Sequence, residues 1–167
     1  MRILGIDPGY AIVGYGVLDY EKNKFHTVAY GAITTEAHTD FQARLIEVYD
    51  QVDRVIKMTR PEALGIEKLF YTTNQKTVIQ VAQARGVILL RAARNSIPVY
   101  EYTPLQIKQS VTGYGKAVKK QVQEMTKTIL KLESIPKPDD TADALAVAIC
   151  HAYSYRSQLF TQIGRTI

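Results

Sequence analysis

The order of strand-like and helix-like stretches restricts the fold of this chain more than any other feature of its sequence. Three strand-like runs occupy the first 34 residues: Arg2–Asp7, Ile12–Asp19 and Phe25–Thr34. The turn dipeptide Pro8-Gly9 follows the first run, and the polar segment 20–24 separates the other two. Connections this short favour an antiparallel meander, since parallel strands need a long crossover.

After the meander, helical and strand-like patterns alternate. Apolar residues recur every three or four positions from Phe41 to Ile56, which is typical of an amphipathic helix. Ala63–Glu67 is a fourth strand, Asn74–Arg94 a second helix and Ile97–Tyr102 a fifth strand. Strands that are joined through helices run parallel. The sequence therefore predicts an α/β fold with a mixed five-stranded sheet, a meander followed by parallel strands, flanked by helices.

The rest of the chain predicts helices from Pro104 to about Phe160, broken at Gly113–Gly115 and at 134–138. A length of 167 residues with 46% hydrophobic content suits one compact domain. We expect a single domain over 1–167, with the last few residues disordered.

One apolar face of the second helix is predicted to pack against the sheet. Its members are Val78, Ile79, Ala82, Gly86, Val87 and Leu90. The spacing alone does not separate burial within one subunit from burial between two subunits.

Net charge indicates the kind of molecule that the protein binds, and cysteine content indicates its cellular compartment. The net charge of +5 favours a polyanionic partner, although the same excess is common among soluble proteins. Cys150 is the single cysteine, and its apolar neighbours predict a buried, reduced thiol. The opening residues do not resemble a signal peptide, and no apolar run approaches the roughly 20 residues that cross a bilayer. These features predict a cytoplasmic protein without a membrane segment.

Four carboxylates are placed where the predicted fold can bring them together. Asp7 and Glu67 each end a strand, and neighbouring strands would present both at one edge of the sheet. Asp140 and Asp143, three residues apart, share a face of the last helix. Each acid has a plainer interpretation: Asp7 as a turn residue, Asp140 as a first-turn acid and Glu67 as a surface charge. Asp139, after Pro138, is predicted to be the helix N-cap.

Oxygen ligands without a nearby histidine or cysteine pair favour a hard cation. Mg²⁺ fits best, and Mn²⁺ is a plausible substitute. Two such ions, roughly 4 Å apart, can activate water and stabilise the leaving oxygen of a phosphodiester. The acids therefore predict metal-dependent hydrolysis that needs no covalent nucleophile.

Five short motifs, taken together and in order, resemble the RuvC family of Holliday junction resolvases, in the ribonuclease H-like superfamily. The motifs are GIDPG at 5–9, GIEKLF at 65–70, QARGV at 83–87, QIKQSVTGYGKAVKKQVQ at 106–123 and DDTADALAVAICH at 139–151. The resemblance implies a ribonuclease H-like fold in which Asp7, Glu67, Asp140 and Asp143 are the metal ligands and the catalytic acids. It also implies paired, symmetric incision of four-way DNA junctions that leaves 5′-phosphates, by a homodimer working with RuvA and RuvB in recombination and repair.

The resemblance also suggests residues that contact DNA. Lys108 and Lys119 occupy the positions of lysines that the family uses near the scissile phosphate, and Phe70 matches an aromatic residue that stacks on an unpaired base. Tyr71 and Tyr114 are weaker candidates for stacking, and part of the helix 74–94 is expected at the dimer interface. Further basic residues predict a cleft that binds phosphates, although solvated helix faces carry similar charges. They are Lys116, Lys120, Arg85, Arg91 and Arg94.

Three other functions share some of these features. A ribonuclease H-like enzyme of the YqgF group would act on RNA, but the acidic helix motif and the basic GYG segment argue against it. An actin-like ATPase also has a strand followed by Asp and Gly, yet 167 residues leave no room for its second lobe. A non-catalytic junction-binding module would need the basic cleft without four acids.

Overall fold

The computed structural model describes residues 1–69 and 75–163, and of 75–76 and 156–163 it describes the backbone alone. Within these ranges, five strands and five helices alternate much as predicted. The strands are β1 (Arg2–Asp7), β2 (Ile12–Glu21), β3 (Lys24–Thr34), β4 (Ala63–Glu67) and β5 (Val99–Tyr102). The helices are α1 (Phe41–Thr59), α2 (Gln75–Arg94), α3 (Pro104–Thr112), α4 (Lys119–Leu130) and α5 (Asp139–Ile163).

The five strands form one mixed sheet in the order β3-β2-β1-β4-β5. β1, β2 and β3 pair antiparallel, whereas β4 runs parallel to both β1 and β5. The predicted fold class, a meander followed by parallel strands with helices around them, is confirmed. β1 lies at the centre of the sheet and carries Asp7 at its carboxyl end.

Each face of the sheet buries its own hydrophobic core. Leu4 and Ile6 of β1 pack with Val48, Val52 and Ile56 of α1 on one face. The alternate residue Ile3 packs with α3, α4 and α5 on the other face. Because side chains of a strand alternate between faces, Asp7 projects on the side of α5.

The helical breaks lie where the glycine and proline residues predict them. α3 ends at Gly113, whose φ of 75° is left-handed and therefore favours glycine. The segment 131–138 separates α4 from α5. Cys150 is fully buried, as predicted. Among the helices of the described ranges, none combines the length and the apolarity that a bilayer span requires.

The predicted core-facing stripe of α2 is wrong for four of its six members, while Val87 does pack against the core. The residues of α2 that are fully buried are Ala84, Ile88 and Ala92. Four members of the predicted stripe are exposed instead, and the large ones, Ile79 and Leu90, are 60% and 54% exposed. The exposed members are Ile79, Ala82, Gly86 and Leu90. Helical periodicity identified an apolar face correctly but could not tell which of two such faces the sheet covers.

Glycines on β1 and β2 allow α5 to lie directly on the sheet. A Cβ atom at Gly5 would overlap the carbonyl oxygen of Ala144, and one at Gly14 would overlap that of Asp140. Gly5 faces two alanines of α5, Ala144 and Ala148, so backbone lies against backbone there. This contact fixes the height and the register of α5, and therefore the position of the acids in its first turns.

We predict that Gly5→Ala destabilises the fold much more than Gly65→Ala. The two glycines are register partners on β1 and β4 and face the same helix. A Cβ at Gly5 meets helix backbone, whereas one at Gly65 meets only side-chain atoms, the nearest being Cγ1 of Val147 at 3.2 Å. Overpacking against rigid backbone should cost about 3 kcal/mol, and the control about 1 kcal/mol or less. Urea unfolding measures both, and equal losses would contradict this account of the α5 contact.

Candidate active site

Asp7 and Glu67 lie side by side at the carboxyl edge of the sheet. Ile6 of β1 pairs with Ile66 of β4 in parallel register, so the next residue on each strand is an acid. Gly5 and Gly65, two residues earlier, both face α5, and strand alternation turns Asp7 and Glu67 to that same side. The predicted meeting of these two strand ends is therefore what the register produces.

Asp140 and Asp143 reach the same edge from α5. The backbone of Asp140 lies against Gly14, which is the register partner of Asp7 on β2. Asp140 falls in the first turn of α5, where the helix dipole favours negative charge, and Asp143 lies one turn further along. α5 begins at Asp139, so the predicted N-cap role of Asp139 is wrong. Its carboxylate instead pairs with Lys137 and Lys119.

The carboxylates affect one another's protonation. Burial, followed by the charges of Glu67, Asp143 and Asp140, raises the pKa of Asp7 from 3.8 to about 8. Burial and the Asp143 charge raise the pKa of Glu67 as well. Burial also raises the pKa of Asp143, against the opposing effect of Lys119. Buried carboxylates that also repel one another form a site that gains stability from added positive charge.

Two lysines line the cleft beside the acids. Nζ of Lys119, at the start of α4, lies 2.9 Å from Oδ2 of Asp143. Lys108 of α3 and Lys119 both lower the pKa of Glu67 and so oppose its other shifts. Together with Glu67 and Asp143 they line a cleft of about 260 Å³. A second cleft of about 280 Å³ contains Asp7, Glu67 and Lys68, so Glu67 borders both.

A capping box holds the helix that carries Lys108. The Thr103 hydroxyl accepts a hydrogen bond from the Gln106 backbone N–H at 3.2 Å, and the Gln106 side chain accepts from the Thr103 N–H at 2.8 Å. Pro104 occupies the first turn, where its missing N–H costs nothing. Lys108 therefore projects from a helix whose start is fixed next to the end of β5.

The donor set fits a hard divalent cation. All four acids supply oxygen, and their pKa shifts arise from burial and mutual repulsion that a cation would relieve. Within the described ranges, however, no three Asp, Glu, His or Cys side chains meet at distances that would hold an ion together. Like charges separate, and Asp143 is paired with Lys119. Asp7, Glu67, Asp140 and Asp143 are the residues that could close around a cation.

Three other predicted DNA contacts lie on the segment that runs from the end of α3 into α4. Lys116 is exposed in the connection between α3 and α4, and Lys120 is exposed in the first turn of α4. Tyr114 is 58% exposed in the same segment. Phe70 and Tyr71, the other aromatic candidates, lie outside the residues that the structure describes.

The arginines of α2 do not lie free in the cleft. Arg85 is paired with Glu101 of β5, and its Nε donates to the Glu67 carbonyl oxygen at 3.4 Å. Arg91 forms an ion pair with Asp53 of α1 and donates to the Tyr49 hydroxyl at 2.7 Å. Arg94, in the last turn of α2, is exposed. The structure thus gives Arg85 a contact with the backbone of Glu67, and its contact with DNA stays a prediction.

Sequence reasoning missed two features of the site. The first is the acid pair around Lys119, since Asp139 was assigned to capping although it precedes Asp143 by four residues, the spacing of one helical face. The second is the link from Arg85 to the end of β4. Nothing local in the sequence indicates this link, because Arg85 and Glu67 are 18 residues apart.

Comparisons with known proteins agree on one family. A family model described as crossover junction endodeoxyribonuclease RuvC matches residues 3–151. The RuvC of Caldanaerobacter subterraneus subsp. tengcongensis is 56% identical over 154 residues, which cover 92% of this chain and 93% of the relative. The RuvC of Clostridioides difficile is 57% identical over 154 residues, covering 92% and 91%.

Solved structures give the same result. Thermus thermophilus RuvC in complex with a Holliday junction substrate matches with a TM-score of 0.90 and 33% identity, covering 95% of this chain and 96% of that one. A second structure of Thermus thermophilus RuvC matches with a TM-score of 0.88 and 34% identity, covering 95% of this chain and 97% of that one.

We predict that Asp7→Asn stabilises the metal-free protein at pH 8. The pKa of Asp7 is raised by folding, so between about pH 4 and pH 8 the unfolded chain releases a proton that the folded chain retains, and folding is opposed. The variant lacks this penalty, which should raise its free energy of unfolding by about 1–3 kcal/mol. Below about pH 4 the carboxyl is protonated in both states, and the gain should vanish.

Denaturant unfolding in the presence of a chelator, at pH 8 and near pH 4, measures the effect of Asp7→Asn. Asp50→Asn serves as the control, because Asp50 is exposed on α1 and belongs to the opposite face of the sheet. A variant that is less stable than the parent at pH 8 would contradict the repulsion inferred here.

Proposed function

The chain belongs to the RuvC family of crossover junction endodeoxyribonucleases, and from that premise we propose that its carboxylate cluster is the site of DNA cleavage. The enzyme resolves Holliday junctions, four-way DNA intermediates of recombination and repair. The proposed reaction is hydrolysis of one phosphodiester in each of two opposing strands, leaving 5′-phosphates. The observation that carries the proposal is the convergence of four acids, from β1, β4 and α5, beside two lysines.

In this proposal Asp7, Glu67, Asp140 and Asp143 hold divalent metal, Mg²⁺ by preference and Mn²⁺ as a substitute, with two ions per site. When bound, such ions activate water and stabilise the leaving oxygen. The chain itself contributes the positions of the acids, which the β1–β4 register and the α5 contact fix before substrate arrives. The raised pKa values of Asp7 and Glu67 show how strongly the protein concentrates negative charge there.

Lysines around the cleft are proposed to bind the DNA backbone. Lys108 and Lys119 border the cleft with Glu67 and Asp143, so a phosphate held there lies between cations and acids. They would contact the scissile phosphate and stabilise charge that develops on it. Lys116 and Lys120 extend the positive surface along the same segment, with Arg85 as a further proposed contact. Phe70 is proposed to stack on an unpaired base, a contact that tolerates any base.

A homodimer is proposed to form through the exposed face of α2. Ile79 and Leu90 are more than half exposed there, and Ala82 and Gly86 between them let another helix approach closely. A twofold partner would place two sites on one junction, which suits paired and symmetric cuts. The proposed setting is the cytoplasm, with RuvA and RuvB as partners in branch migration and the described fold acting as one domain.

We predict that Asp7→Asn retains junction binding and loses cleavage. The substitution removes a ligand charge and keeps the shape of the side chain, so activity should fall by at least about 100-fold. Cleavage of a synthetic mobile four-way junction with Mg²⁺, with cut sites mapped on opposing strands, measures the loss, and gel shift without metal measures binding. Asp50→Asn should cut like the parent. Normal cleavage by Asp7→Asn would exclude the proposed metal site.

We predict that Ile79→Lys converts the dimer to monomer, whereas Ile46→Lys does not. Ile46 on α1 and Ile79 on α2 are matched in type and exposure, at 63% and 60%. Only Ile79 lies on the proposed interface, where an added charge would be buried without a partner. Sedimentation at several protein concentrations distinguishes the two variants. A parent that is monomeric throughout, or a dimer that persists in Ile79→Lys, would refute the interface.

A further inference from the structure

A chain of alternating charges connects the catalytic acids to the protein surface. Nζ of Lys119 lies 2.9 Å from Oδ2 of Asp143 and 3.6 Å from Oδ2 of Asp139. The other oxygen of Asp139 accepts from Nζ of Lys137 at 2.6 Å. Lys119 is thus shared between a proposed metal ligand and an acid that is anchored from its far side.

The ion pair between Lys119 and Asp143 competes with metal binding. A carboxylate oxygen that accepts from an ammonium group has less negative charge to offer a divalent cation, and two cations at one oxygen repel. Lys119 and a metal ion are therefore alternative partners of Asp143. The four acids are close enough to shift one another's pKa. In the described residues they are nevertheless too far apart to hold an ion together, and the pairing of Asp143 with Lys119 accounts for this.

We propose that Lys119 couples DNA binding to metal binding by exchanging partners. In the free enzyme Lys119 pairs with Asp143; when a junction binds, Lys119 turns to a backbone phosphate and Asp143 becomes available to the metal. The inference rests on the proposed function, in which Asp143 is a metal ligand. Its consequence is that the enzyme holds metal weakly until substrate is present.

The surroundings of Lys119 permit this exchange. Its side chain is 55% exposed at the mouth of the cleft, whereas Asp143 is 25% exposed. Solvent-exposed ion pairs contribute little stability, so a nearby phosphate can replace one partner of Lys119. The lysine side chain has a flexible stem and needs no fixed geometry, unlike a bidentate arginine.

Asp139 offers Lys119 a second carboxylate at longer range, 3.6 Å away compared with 2.9 Å for Asp143, and also pairs with Lys137.

The test is Mn²⁺ affinity without DNA, measured by isothermal titration calorimetry on the full chain. Lys119→Met removes the ammonium and keeps the stem, so the dissociation constant should fall about three- to tenfold. Lys120→Met removes the same charge from the next residue, which forms no ion pair with the acids in the described residues, and should change affinity by less than about twofold. Lys119→Arg retains the charge and should resemble the parent.

The outcomes separate this inference from the function on which it rests. Equal Mn²⁺ affinities for Lys119→Met and Lys120→Met, or weaker binding by Lys119→Met, would overturn the exchange while the parent still binds metal and cuts junctions. A parent that neither binds Mn²⁺ nor cleaves a four-way junction would instead overturn the proposed function. Tighter binding by Lys119→Met alone, restored to the parent value in Lys119→Arg, would support the exchange.

Discussion

The contact between α5 and the sheet is the constraint on which the site depends. Side chains at Gly5 or Gly14 would hold the helix away from β1 and β2, because both glycines face backbone atoms of α5. Without that approach Asp140 and Asp143 could not reach the edge where β1 and β4 present their own acids. The geometry of the proposed active site is therefore a consequence of backbone packing between α5 and the sheet.

The cluster of acids at this edge lowers the stability of the fold. Nearby lysine side chains offset part of that loss. Burial and mutual repulsion raise the pKa of Asp7, Glu67 and Asp143, which means that ionising them opposes folding. Lys119 and Lys108 offset part of this effect, and the first turns of α5 add a favourable dipole. The same lysines face the cleft, so groups that balance the charge in the free protein are those best placed to meet phosphate.

The sequence predicted what depends on local pattern and left open what depends on packing. A meander followed by parallel strands is predicted from connection length, but the pairing of β1 with β4, which places Asp7 next to Glu67, is known only from the folded chain. The buried side of α2 did not follow, because Ala84 and Ala92 are small enough to look neutral beside Ile79 and Leu90. Asp139 was misassigned for a related reason: a residue after proline at a helix start suits a cap, and only the folded chain shows Lys119 and Lys137 beside it.

One face of α2 carries the proposed dimer interface, and its other contacts reach the sheet edge that carries the four acids. Arg91 pairs with Asp53 of α1, which anchors the helix to the layer beneath it. Arg85, about two turns earlier, holds Glu101 and contacts the carbonyl of Glu67. A displacement of α2 would therefore move or break the contact with the end of β4, which carries the proposed metal ligand Glu67. A partner bound on the opposite, exposed face of α2 would restrain the same helix, so dimerisation would support the geometry of each site in addition to setting the spacing of two cuts.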